Sequence, residues 1–131
     1  MTYLLVAIGS ALGGVARHWC GLAVAARMGT QFPWGTILIN VVGSFLIGVV
    51  AALTQADGRW ASAQPARDFL MVGVLGGYTT FSAFSLQTLT LLRDGKVAYA
   101  AGNVALSVGA CVVAVWLGYV LGSLLKPRVA V

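Results

Sequence analysis

Four apolar stretches, each about as long as a bilayer is thick, fill nearly the whole chain and leave short polar joints between them. They run from Leu4 to Ala26, Trp34 to Thr54, Phe69 to Leu92 and Val97 to Leu125. A helix crossing the hydrocarbon core needs about 20 predominantly apolar residues, so the 131 residues hold four such helices and no extramembrane domain. Only 8% of residues are charged and 60% are hydrophobic, against about 25% charged in a soluble domain. A chain this short has too little interior to hide that much apolar surface from water. The expectation is an all-α integral membrane protein, one domain over residues 1–131, with four transmembrane helices.

The first stretch is not read as a cleaved signal. Ala23-Val24-Ala25 imitates a cleavage site, but no Lys or Arg precedes the run, and Arg17 and His18 interrupt it. Tyr3, Trp34, Trp60 and Tyr99 fall near predicted helix ends, where an aromatic belt meets the headgroups. All but Arg17 of the eight basic residues, against three acidic ones, lie over loops and ends. They are interfacial residues meeting lipid headgroups, not a nucleic-acid surface.

An even number of spans puts both termini on one side. Arg59, Arg67, Lys126 and Arg128 flank the spans there, and Arg27, Arg93 and Lys96 flank them on the other side, four against three. Orientation follows the Lys and Arg balance of short loops. A margin this thin predicts insertion both ways, hence a dual-topology, antiparallel homodimer. Small residues at four-residue spacing agree with close helix packing in an oligomer: Gly9 and Gly13, Ser44 and Gly48, Gly73 and Gly77, Gly118 and Gly122. The same pairs would serve packing inside one subunit.

Polar groups within the spans carry the functional signal. A charge at membrane depth costs about 2.5–3.5 kcal/mol on insertion scales. Arg17 either snorkels to the headgroups or faces an aqueous vestibule that attracts anions. Asn40 either bonds a neighbouring helix or lines a wet path, because unpaired amide donors are expensive in lipid. No Asp or Glu lies inside any span, whereas cation-coupled and proton-coupled transport needs a buried carboxylate. Any ion conducted is therefore expected to be an anion. No nucleophile–base set, metal cluster or phosphate-cradling loop is visible, so the chain is not read as an enzyme. Cys20 and Cys111 are read as buried thiols.

The third span is the most informative. Its run from Gly73 to Ser85 sets paired glycines, Gly76-Gly77, before Thr79-Thr80 near mid-span, a poor helix interior. A break there makes two half-helices: carbonyls at the end of the first suit a cation, and amides and hydroxyls at the start of the second suit an anion. Beyond it, Phe81 and Phe84 share a face, with Ser82 and Ser85 beside them. Asn103, Ser107 and Cys111 form a stripe on the fourth span at helical spacing. Two such rows would line a narrow path with hydroxyl, amide and positively polarised ring-edge groups.

The run Gly76-Gly77-Tyr78-Thr79-Thr80-Phe81-Ser82-Ala83-Phe84-Ser85 resembles the signature of the Fluc (CrcB) family of fluoride channels. Gly35 to Asn40 and Gly9 to Arg17 resemble that family as well, and the similarity covers essentially the whole chain. The resemblance implies a multi-pass protein of the bacterial inner membrane, an antiparallel homodimer with two pores that passes fluoride out of the cytoplasm. It implies that Phe81 and Phe84 lie along the fluoride path, with Asn40, Thr80, Ser82 and Ser107 as donors and Arg17 near the pore mouth. It also implies a structural Na⁺ on the dimer axis, held by the backbone carbonyls of Gly76 and Thr79.

The chain departs from the family pattern at Asn103, Cys111 and Gln87, where relatives carry Tyr, Ser and Glu. Three other readings stand beside the channel. A drug exporter of this size would have a membrane Glu in its first span, and a fluoride–proton antiporter would have a titratable relay. A structural membrane subunit would bury Phe81 and Phe84 in a protein contact.

Overall fold

The computed structural model describes residues 2–54 and 64–125. Within them the protein is all-α. Helix α1 spans Thr2–Met28 and α2 spans Trp34–Thr54. The third span opens with a short helix α3, Gln64–Arg67, continues as a π-helical segment over Asp68–Leu75, and closes with α4, Gly76–Tyr78. After a break it resumes as α5, Phe81–Arg93, and α6 follows over Val97–Leu124. Asp57, Arg59 and Trp60, and the terminal Lys126 and Arg128, lie outside the described residues.

Two turns follow from local sequence. Gly29 takes φ 75° and its amide returns to the Ala25 carbonyl at 2.9 Å, a left-handed cap that ends α1. Gly95, at φ 74°, does the same for α5. Its amide reaches Leu92 O at 3.0 Å, and the Lys96 amide reaches Leu91 O at 2.9 Å, the paired bonds of a Schellman motif.

Trp34–Thr54, Gln64–Arg93 taken through its break, and Val97–Leu124 are each long and apolar enough to cross a membrane, with mean hydropathies of 2.3, 1.5 and 2.3. Helix α1 has the length, 27 residues, or about 40 Å at 1.5 Å per residue. Arg17 and His18 dilute its apolar content.

The glycine pairs bring helices of one chain together. A Cβ on Gly48 would strike the Val115 carbonyl, and one on Gly118 the Phe45 carbonyl, so α2 and α6 pack backbone to backbone. Gly9 and Gly13 do the same against the third span: a Cβ on Gly9 would lie 2.8 Å from Phe69 O, and one on Gly13 would meet Val74 O. Gly73 and Gly77 close the same contact from the other side, at Gly9 and Ser10. These glycines therefore pack helices within one chain, the second of the two readings of the small-residue pairs.

The loop expected from Gln55 to Asp68 is shorter than predicted. Helix begins at Gln64, with Pro65 in the first turn, where its missing N–H has no intrahelical partner to lose. Gln64 Nε2 donates to Asp68 Oδ1 at 2.9 Å across that turn.

Candidate ion path

The break in the third span lies at Thr79 and Thr80, not at the glycines. Thr79 has φ −82°, ψ 158° and Thr80 φ −153°, ψ 110°, both extended. Gly76 and Gly77 remain helical. Three neighbours define the break. Asn40 of α2 pairs with Thr80 as one peptide pairs with another: its Oδ1 accepts from Thr80 N at 2.8 Å and its Nδ2 donates to Thr80 O at 3.1 Å. One turn on, Gly43 leaves room for the Thr79 methyl, which a Cβ there would strike. Arg17 of α1 reaches Thr79 O with Nη1 at 3.4 Å.

These contacts redirect the helical ladder. The Thr80 amide, which would close onto the Gly76 carbonyl in a continuous helix, points to Asn40. The Ala83 amide, which would close onto Thr79 O, instead donates to Thr80 Oγ1 at 3.2 Å, so Thr80 is the N-cap of α5. Gly76 and Thr79 thus end the first half with carbonyls freed from their α-helical donors. The second half begins with amides and a positive dipole end.

A cavity lies on each side of Thr80. The first, of about 420 Å³, is lined by Asn40, Thr79, Thr80, Phe81, Phe84 and Ser107, and also by Ser44 and Cys111. The second, also about 420 Å³, holds Arg17, His18, Thr36, Thr80 and Gln87. The Phe81 and Phe84 rings sit 5.1 Å apart, tilted by 48°. Phe84 is 8% exposed and Phe81 75%. The arrangement brings together a guanidinium, a helix N-terminus, hydroxyls and two aromatic rings. Among the described residues no group of three or more His, Cys, Asp or Glu side chains could hold a metal.

Residues 4–119 match the family model described as CrcB-like protein, Camphor Resistance (CrcB). The chain is 58% identical to a fluoride-specific ion channel FluC of Methylocella silvestris over 92% of each protein. It is 55% identical to one of Rhodospirillum rubrum, over 92% of this chain and 93% of that protein. A third, of Paramagnetospirillum magneticum, is 50% identical over 96% and 98%. The chain belongs to the CrcB family.

It is thus a multi-pass membrane protein and not an enzyme. Within this CrcB chain, the break and the two cavities gather Arg17, Asn40, Thr80, Phe81, Phe84 and Ser107. Arg17 faces the break and lines the second cavity. Asn40 bonds the third span and lines the first cavity. Ser82 lines neither cavity; its hydroxyl sits 3.3 Å from Thr80 Oγ1. The stripe on α6 divides: Ser107 and Cys111 reach the first cavity, while Asn103 is wholly buried and bonded to Thr88 of α5. Thr88 and Gly43 escaped the sequence reading. Gly43 had a signal, one helical turn from Asn40 on the same face; Thr88 had none beyond its position one turn past Phe84.

Proposed function

We propose that this chain is a fluoride channel whose ion path follows the two cavities, from Arg17 past Thr80 to Phe81, Phe84 and Ser107. The observation that carries this reading is the Asn40–Thr80 pairing, which holds a helix N-terminus open between two cavities and beside a buried-depth arginine. The naming of the relatives as fluoride-specific channels agrees with it. No acidic side chain lines either cavity, so no carboxylate there repels an anion.

Fluoride is small and strongly hydrated, so the path must replace its water with fixed donors. Arg17 raises the local anion concentration at the mouth. Thr80 and the α5 amides offer donors at the waist, and Phe81 and Phe84 offer ring edges beyond it. Conduction needs sites that admit the ion yet release it.

The working unit is an antiparallel homodimer. Phe81, three-quarters exposed beside an open cavity, and the exposed Gly76 support a partner at this face. A structural Na⁺ fits the same face. Gly76 and Thr79 carry carbonyls freed from helical bonding, and hard cations prefer such oxygens. Thr79 O already accepts from Arg17, but a carbonyl has two lone pairs, so one stays available. Bound there, the ion would supply a fixed positive charge on the dimer axis.

Fluoride efflux from fluoride-loaded proteoliposomes, with chloride-loaded controls, tests the reading. Fast fluoride efflux without chloride efflux is expected, cut at least about tenfold in Phe81→Ile and Phe84→Ile, the loss of roughly one charge-assisted contact. A folded protein that passes no fluoride would sink it in favour of a structural subunit.

A further inference from the structure

Ser107, on the wall of the first cavity, does not offer its proton to that cavity. Its hydroxyl donates to Asn103 Oδ1 at 3.3 Å, and the direction of that bond is fixed from the far end of a hydrogen-bonded chain. The Phe84 carbonyl can only accept. Thr88 Oγ1 lies 2.8 Å from it and therefore donates. With its one proton so engaged, Thr88 meets Asn103 only as an acceptor, and Asn103 Nδ2 donates to it at 2.8 Å. The amide is thereby turned with Oδ1 toward Ser107, and an amide oxygen has no proton to give. Asn103 is 0% exposed, so water cannot reorient it.

Ser107 consequently faces the cavity with lone pairs, the wrong polarity for an anion. The bond that holds its proton away is weak: 3.3 Å is well beyond the usual O–H···O distance of about 2.7–2.8 Å. A hydrogen bond to an anion is shorter and about twice as strong as a neutral one. An arriving anion can therefore win the proton, but only by breaking the bond to Asn103.

We propose that Asn103 is a positioning residue for the ion path: it holds the Ser107 proton out of the first cavity and yields it only to a fluoride ion that reaches Ser107. This rests on the reading above that Ser107 lines the path. The competition weakens binding at Ser107 relative to a free hydroxyl and so favours release, which a conducting site requires.

The test is the initial fluoride efflux rate from proteoliposomes as a function of internal fluoride, read as a half-saturating concentration. Asn103→Leu, close in shape, removes the competing acceptor. Thr88→Val removes the group that orients the amide, freeing Asn103 to turn round and donate to Ser107. Each is expected to lower the half-saturating concentration about three- to tenfold, the span of one ordinary hydrogen bond. Both gains should vanish when Ser107→Ala is added. An unmoved or raised value, movement in only one of two folded variants, or a gain that persists with Ser107→Ala overturns the proposal. If Asn103→Leu does not fold, Thr88→Val decides alone. A wild-type protein without fluoride efflux overturns the channel reading and this proposal together; a conducting wild type with unmoved variants overturns this proposal only.

Discussion

The two halves of the third span are built from different materials. Before the break, residues 64–78 meet α1 through glycine backbones, with Gly73 and Gly77 against Gly9 and Ser10. After it, α5 carries hydroxyls that bond back to their own helix, Ser85 to Phe81 O at 2.9 Å and Thr90 to Leu86 O at 3.0 Å, and it reaches α6 through Thr88 and Asn103. The first half is fixed by shape, which has one solution. The second is fixed by hydrogen bonds, whose donors can be re-aimed. An ion path needs both: a rigid frame, and polar groups free to exchange partners along it.

The sharpest way to break the frame is to fill it. Gly13→Val would push a side chain into the Val74 carbonyl and to within 2.8 Å of the Tyr78 amide, and backbone cannot yield as a side chain does. Overpacking costs about 1–3 kcal/mol or more, so the variant should fail to give a monodisperse protein in detergent on size-exclusion chromatography. Its neighbour is the control. Gly14 has nothing within 4 Å of its missing Cβ, and Gly14→Ala should leave folding unchanged.

Next in size is the joint between the halves. Asn40→Leu removes both partners of the half-buried Thr80 peptide, hydrogen bonds worth about 0.5–1.5 kcal/mol each. A drop of roughly 1–3 kcal/mol in unfolding free energy and loss of fluoride efflux are expected. Asn40→Asp keeps the acceptor for Thr80 N and loses the donor to Thr80 O. Its unfolding midpoint should fall between those of wild type and Asn40→Leu. Equal stability of Asn40→Leu and wild type would mean that the break does not depend on α2.

That joint also shows where sequence reading ran out. The four helices, the broken third span and the Phe pair were legible, because hydrophobic runs and turn residues are local signals. So was the stretch that holds the break, Gly76 to Thr80, but not which of its residues leave the helix. Gly76 and Gly77 have the lowest helix propensity in the segment, yet their missing side chains serve the contact with α1, and they stay helical. The break falls at Thr79 and Thr80 because Asn40, 40 residues away in sequence, supplies a substitute peptide there. No local rule registers such a partner. Asn103 teaches the same lesson: helical spacing put it on the stripe with Ser107, and only the position of Thr88 turns it away from the cavity.

A smaller effect is expected at the mouth. Arg17→Gln keeps a donor near Thr79 O and removes the charge that gathers anions. Fluoride efflux at low fluoride should fall several-fold, and the remaining flux should depend less on ionic strength, since screening acts on charge. A variant as salt-dependent as wild type would remove Arg17 from the electrostatics of the mouth.

The smallest effect tests the cavity around that arginine. Gln87 Oε1 is buried and has no protein partner, while its side chain lines the cavity that holds Arg17 and His18. A dry cavity would make this acceptor a liability, and Gln87→Leu would then stabilise the protein by about 1–3 kcal/mol. A guanidinium at this depth argues for water instead, because leaving it unsolvated would cost more than the whole amide. Water would satisfy Gln87 once its amide turns toward the cavity, since Oε1 as placed is closed to water. Gln87→Leu is therefore expected to change the unfolding free energy by less than about 0.5 kcal/mol, the usual scale for a solvated side chain, and fluoride efflux by less than about twofold. Measured stabilisation of a kilocalorie or more would make the second cavity dry. The shape-held half of the molecule would then extend to the mouth, and the hydrated route would begin only at Thr80.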